Sequence, residues 1–160
     1  MLYRQLLKDD FDRLPLALRQ FHSAPGGGRA VGSVAVRHAS GLLARLLGLP
    51  PSGDNVPMRL EVVAGETQEI WIRRFGDVVR KSNQRLERDL LLETFGPVRL
   101  LFRVLADDRG MRFESQRATL WALPLPLRIS ATERGGDQSW EFEVTIARVG
   151  SYSGAMASLP

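Results

Sequence analysis

The sequence predicts an α+β domain: a strongly curved antiparallel sheet, an incomplete barrel of about seven to nine strands, with an N-terminal helix and a short second helix packed in its concave face. Two observations carry this. Large apolar residues recur at helical spacing over Leu2 to Phe21 and again over Leu42 to Leu47, whereas from Asn55 onward apolar and polar residues alternate. The alternating runs are joined by short turns, which makes their neighbours antiparallel.

Taken in order, Leu2, Leu6, Leu7, Phe11, Leu14, Leu18 and Phe21 form one apolar stripe. Pro15 interrupts it, so a break is expected near Leu14, with a second helical piece beyond. The glycines of SAPGGGR end that piece. RAVGSVAVRHA, residues 29–39, is a strand of small and β-branched residues. SGLLARLLGLPP follows as a helix of two to three turns, with Ser40 as its cap and Gly48, Pro50 and Pro51 as its stop. VPMRLEVVA and QEIWIRRF form a hairpin about the turn AGET. Further strands are expected over residues 78–88, 90–95, 98–106, 111–121, 127–134 and 140–149, with DDRG and RGGDQ as hairpin turns. The recurring Phe-Gly-x-Val at Phe75 and Phe95 marks sharp bends at strand ends.

The 160 residues fit one domain, 1–160, and 44% hydrophobic with 25% charged residues excludes a mostly disordered chain. The absence of cysteine removes thiolate nucleophiles, zinc–thiolate sites, iron–sulfur clusters and disulfides. The opening MLYRQLLKDDFDRL meets charge too early for a signal peptide, and no run approaches the ~20 apolar residues of a membrane span. A cytoplasmic protein is the expectation. The net charge of +4 comes from arginines scattered along the whole chain, with only Lys8 and Lys81 as lysines. The excess of arginine over lysine, with abundant Ala, Leu and Gly, is what a GC-rich coding sequence produces, and a nucleic-acid footprint would be a patch or stripe rather than a scatter.

Catalytic chemistry finds little support. His22 and His38 lack carboxylates at ligand spacing, so no metal site is expected, and His22 is read as capping its helix. APGGGRAVGS has a helix before it and a strand after, the reverse of a phosphate loop. No Gly-x-Ser-x-Gly elbow occurs. Asp9–Asp10 and Asp107–Asp108 belong to solvated surfaces. Glu114 and Glu133 lie in alternating strands, where an inward position would make them acid–base candidates. No cofactor is implied.

Apolar and aromatic side chains accumulate instead. Phe75, Phe95, Phe102, Phe113, Trp121 and Phe142 come from successive strands and share a concave face with Leu123 and Leu125. Either the helices fill that face as an ordinary core, or a partly open cavity remains. In the second case the candidate ligand-binding residues, in the pocket or on its rim, are Trp71, Phe75, Phe102, Phe113, Trp121, Leu123 and Leu125. WALPLPL, residues 121–127, is read as a rigid apolar crossing between two strands, its prolines blunting any further pairing.

YRQLLKDDFDRLPLALRQFH, GLLARLLGLP, WIRRFG, ETFGP, LPLP and SYSG, in that order, resemble a bacterial family of domains of unknown function that occur alone or C-terminal to a saccharopine-dehydrogenase-like reductase domain. Phe11, Leu14 and Pro15 match its helix motif, and Leu42 to Pro50 its second helix. Trp71, Arg73, Phe75 and Gly76 match one aromatic strand, and Phe95, Gly96 and Pro97 another. Leu123 to Pro126 match the proline segment, and Tyr152 with Gly154 the C-terminal pattern. The segment after Pro126 is shorter than in the family. The resemblance implies a similar fold and, since the family has no assigned reaction, no catalytic residues.

The function expected is non-enzymatic binding of an apolar small molecule or lipid between sheet and helices, in a cavity of at least ~300 Å³. A first rival is an interaction module that docks a reductase domain or forms a homodimer through an apolar patch or sheet edge. A second is an enzyme using Glu114, Glu133 or an arginine such as Arg74; a wholly apolar cavity would argue against it.

Overall fold

The computed structural model describes residues 1–39 and 41–159, and of Leu43 the backbone alone. Ser40, the expected cap, lies outside the described residues. The N-terminal stripe folds as α1 (Leu2–Leu7), a 3-10 turn (Lys8–Arg13) and α2 (Leu16–Ser23). Pro15 stands immediately before α2, where its missing N–H costs nothing. Phe11, Leu14, Leu18 and Phe21 are all buried, so the stripe is the face by which this segment docks on the sheet.

The strands are β1 (Arg29–His38), β2 (Gly53–Ala64), β3 (Gln68–Phe75), β4 (Val78–Glu87), β5 (Leu90–Phe95), β6 (Val98–Asp107), β7 (Gly110–Leu120), β8 (Leu123–Pro124), β9 (Ile129–Gly135), β10 (Ser139–Ile146) and β11 (Gly150–Ser158). Each of β1 to β7 pairs antiparallel with the next, β7 pairs with β9, and β9, β10 and β11 follow in turn. β11 then pairs with β1 along nine residues, Ala30↔Ser158 to His38↔Gly150. Among the described residues the sheet is therefore a closed ten-stranded barrel with β8 as an extra strand.

This corrects the incomplete barrel expected from sequence. The element that closes it, β11, reads GSYSGAMAS, and its small residues have weak strand propensity. Its pairing is fixed by two long neighbours rather than by its own pattern. The small residues also admit the seam: a Cβ on Gly154 would lie 2.1 Å from the Ser33 carbonyl oxygen and 2.9 Å from Val34 Cγ1. The helices are corrected too. α3 (Leu42–Leu46) has five residues rather than two to three turns, and it lies in the segment joining β1 to β2, with Ala44 buried in the core.

Antiparallel order gives the barrel two distinct ends. The turns at residues 65–67, 88–89, 108–109 and 136–138 share one end with α1, the 3-10 turn and α2, which plug it. Residues 39, 41–52, 76–77, 96–97, 121–128 and 147–149 share the other end, the mouth. There Leu47, Leu49 and Pro50 cover the interior, and Arg80 Nε donates to the Gly48 carbonyl at 2.6 Å. His38 Nε2 lies 2.7 Å from the Pro50 carbonyl oxygen, a second tie on this cap.

WALPLPL is a hairpin, not a crossing. Trp121 and Ala122 form its turn with φ of 46° and 70°, and β8 folds back on β7 with Leu120↔Leu123 and Thr119↔Pro124. β8 takes the upper edge of β7 that β9, paired only to Gly110–Glu114, leaves open. Pro124 sits on this outer edge, where a missing donor is tolerated.

Alternation sorts the side chains: Met58, Leu60, Val62, Leu100, Phe102, Trp140 and Ile146 are buried inside, while Arg59, Arg103, Arg112, Arg134, Glu141 and Glu143 are exposed outside. A charged exterior around an apolar interior is the inverse of a lipid-embedded barrel. Among the described residues no helix is long and apolar enough to cross a membrane.

Two substitutions test this geometry by thermal melting. Gly154→Val forces β11 off β1 and is expected to destabilise by about 1–3 kcal/mol; an unchanged Tm would mean the seam is loose. Trp121→Gly relieves a left-handed backbone at an exposed turn and is expected to raise the Tm by about 1–4 °C.

Candidate functional site

The interior is a cavity of about 180 Å³, running from Tyr3 on the plug to Leu47–Pro50 under the mouth and reaching the exposed Lys81 beside the cap. Most of its wall is apolar, with Leu91, Leu100, Phe102, Phe113, Ile129, Trp140 and Met156 among the lining. The volume falls short of the ~300 Å³ expected, so the space suits a small molecule rather than a whole lipid chain.

Across the apolar wall runs a band of polar groups delivered by strand parity. On β3, residues 69, 71, 73 and 75 share a face, so Arg73 enters the barrel between Trp71 and Phe75, its guanidinium 5.0 Å from the Trp71 ring. Ser82 and Gln84 enter from β4, Glu93 from β5, and Glu133 from β9. Arg73 Nη2 lies 3.1 Å from Glu93 Oε1, Arg73 Nη1 donates to Ser82 Oγ at 2.8 Å, and Ser82 Oγ donates to Glu93 Oε1 at 2.6 Å. Tyr3 Oη donates to Gln84 Oε1 at 2.9 Å, which locks the plug to the wall. Trp71 Nε1 donates to the buried Glu69 Oε2 at 3.1 Å. These satisfied groups are the condition under which a buried ion pair is tolerable.

One pair is left over. His22 Nε2 and Glu133 Oε2 face each other at 3.6 Å, within ion-pair reach but beyond a hydrogen bond, and neither atom has a hydrogen-bond partner among the described residues. The His22 side chain is 1% exposed and that of Glu133 17%. His22 lies against Tyr3, ring centroids 4.0 Å apart, and Glu133 pairs across the sheet with Phe142. A carboxylate oxygen without a hydrogen bond, beside tyrosine, tryptophan and phenylalanine faces, can accept a hydrogen bond or meet an organic cation.

Burial is the largest influence on Tyr3 and pushes its hydroxyl well above the ordinary tyrosine range, with Glu133, Glu69 and Glu93 adding to the rise. Burial also raises Tyr152, against the opposing pull of Arg73. For Arg73 burial disfavours the charge, but Glu93 and then the two tyrosines outweigh it and hold the guanidinium above its ordinary value.

The structure distributes the sequence candidates unevenly. Trp71, Phe75, Phe102 and Phe113 line the cavity. Leu125 packs half-buried against the core without lining the cavity, and Trp121 and Leu123 stand outside it at 74% and 70% exposure. Of the acid–base candidates, Glu133 is inside, whereas Glu114 is on the outer face 3.1 Å from Arg112, and Arg74 is exposed next to the inward Arg73. His22, expected to cap the end of its helix, stands in the last turn but is buried against Tyr3, with no hydrogen bond at Nε2 among the described residues. Reading the sequence for apolar faces missed Arg73, Ser82, Gln84 and Glu93. The available signal was parity, since Arg73 shares its face with Trp71 and Phe75, and Glu93 shares its face with Leu91 and Phe95.

Compared with family models, curated proteins and solved structures, the chain matches none.

The two tyrosines, Tyr3 and Tyr152, are the only ones in the sequence, and both face the interior. A group whose pKa is raised by folding stabilises fully below its unfolded value, here near 10.0, and that contribution is lost as pH rises beyond it. Stability attributable to them should hold to about pH 10 and fall above it, with tyrosinate absorbance appearing together with loss of near-ultraviolet circular dichroism. A tyrosine ionising near pH 10 in a protein that stays folded would contradict this placement.

Proposed function

We propose that the barrel is a non-enzymatic binding protein for a small molecule with an apolar body and a cationic, hydrogen-donating head, an organic amine, seated against Glu133. The observation that carries it is the Glu133 carboxylate, whose Oε2 has no hydrogen-bond partner among the described residues and lies inside an aromatic-lined cavity. Arg73 is already engaged by Glu93, which leaves Glu133, faced by His22 at 3.6 Å, as the carboxylate in the band open to a ligand. The wall supplies apolar burial and ring faces, and Glu133 supplies orientation. The cavity holds roughly half a dozen water-sized groups, which favours a compact amine over a long acyl chain.

The His22–Glu133 pair also suits a general base, and turnover of the bound amine is the second reading. A cytoplasmic setting fits the charged exterior. The resemblance to domains without an assigned reaction is compatible with binding as the activity.

Isothermal titration with benzylamine, benzyl alcohol and benzoate separates these cases. Benzylamine is expected to bind in the micromolar to millimolar range, with Glu133→Gln weakening it about 10- to 100-fold, the worth of a charge-assisted hydrogen bond. Benzoate binding best would move the anchor to Arg73 or Arg80 and overturn the assignment. Consumption of the amine over time would favour the enzyme.

A further inference from the structure

The mouth carries a second set of features that ligand binding does not use. Leu42, Trp121 and Leu123 are 83%, 74% and 70% exposed, and no other large hydrophobic residue among the described ones exceeds 53%. All three stand on mouth segments, Leu42 in residues 41–52 and the other two in the β7–β8 hairpin. The hairpin tip holds Trp121 and Ala122 at positive φ, where glycine or asparagine is the relaxed choice. A strained backbone that presents a tryptophan to solvent points to a use for that tryptophan.

Charge follows the same polarity. The mouth segments contain Arg45, Arg128 and Arg148, all exposed, against the single acid Asp77. The turns at the opposite end contain Glu66, Asp89, Asp108 and Asp137 against Arg88 and Arg109. Apolar prongs on separate loops, rimmed by arginines, do not make the continuous face of ~800 Å² that a specific protein partner needs. They do match a lipid surface, where tryptophan settles at the headgroup level and arginines meet anionic phosphates.

We infer that the mouth docks peripherally on an anionic lipid bilayer, inserting Trp121, Leu123 and Leu42 with Arg45, Arg128 and Arg148 against the headgroups. The barrel itself remains outside the bilayer, since its wall is charged. Docking turns the Leu47–Pro50 cap, and the cavity beneath it, toward the membrane. This inference does not depend on the identity of the ligand in the cavity.

The protein contains its own reporter. Of its three tryptophans Trp71 and Trp140 are buried, so a change in emission on adding vesicles reads Trp121. With phosphatidylcholine vesicles containing phosphatidylserine, a blue shift and co-sedimentation are expected, both reduced by salt and by omitting phosphatidylserine. The doubly substituted W121A/L123A protein, whose altered side chains are exposed and whose fold is checked by melting, should bind about tenfold more weakly or worse. Unsubstituted protein that neither shifts nor sediments would overturn the inference, as would undiminished binding by W121A/L123A. A blue shift that needs no vesicles, rises with protein concentration and accompanies a dimer mass in light scattering would assign the patch to a second copy of the chain instead.

Discussion

Pairing of the first strand with the last is the constraint on which the rest of the structure depends. Once β1 and β11 meet along nine residues, the sheet closes on itself and neither of them is left as an edge strand. Closure then creates an interior that must be filled. A ten-stranded ring encloses more than its own inward side chains occupy, so the N-terminal helices are needed as a plug and the Leu47–Pro50 segment as a cap. What remains between them is the cavity.

The inward faces are not uniformly apolar, and the exceptions define the chemistry. Arg73, Glu93 and Ser82 form a closed set of contacts, which lets a full charge sit beside Trp71. Tyr3 ties the plug to Gln84 and reaches the same region as His22 and Glu133. The satisfied members of the band lock the plug and wall together, and the His22–Glu133 pair is left without hydrogen bonds among the described residues.

Much of the wall was legible in the sequence because period-two alternation and Gly- or Asp-containing turns are local signals. The hairpins from β2 through β7 and the β9–β10 turn follow from them. Closure was not legible: it joins residues at opposite ends of the chain, and Gly150–Ser158 has too few large side chains to announce a strand. The candidate site was half legible. Trp71, Phe75, Phe102 and Phe113 face inward as aromatic residues in a curved sheet should, whereas Trp121 and Leu123, candidates for the pocket or its rim, stand exposed at the mouth on a tight turn. Ile70 and Ile72 face outward while Arg73 faces inward, because Trp71 and Phe75 claim the buried face of β3.

Two ends of one barrel therefore differ in kind. One is plugged by buried helices, and the other combines a cap, a strained apolar hairpin and a basic rim around the route to the cavity. The central claim is that Glu133 anchors a ligand in the closed interior, and a crystal structure of the protein soaked with benzylamine tests it most directly. The amine nitrogen is expected within hydrogen-bond distance of Glu133 Oε2, with the ring among the lining aromatics. An interior that holds only water at saturating amine, or an amine bound anywhere else, would contradict it.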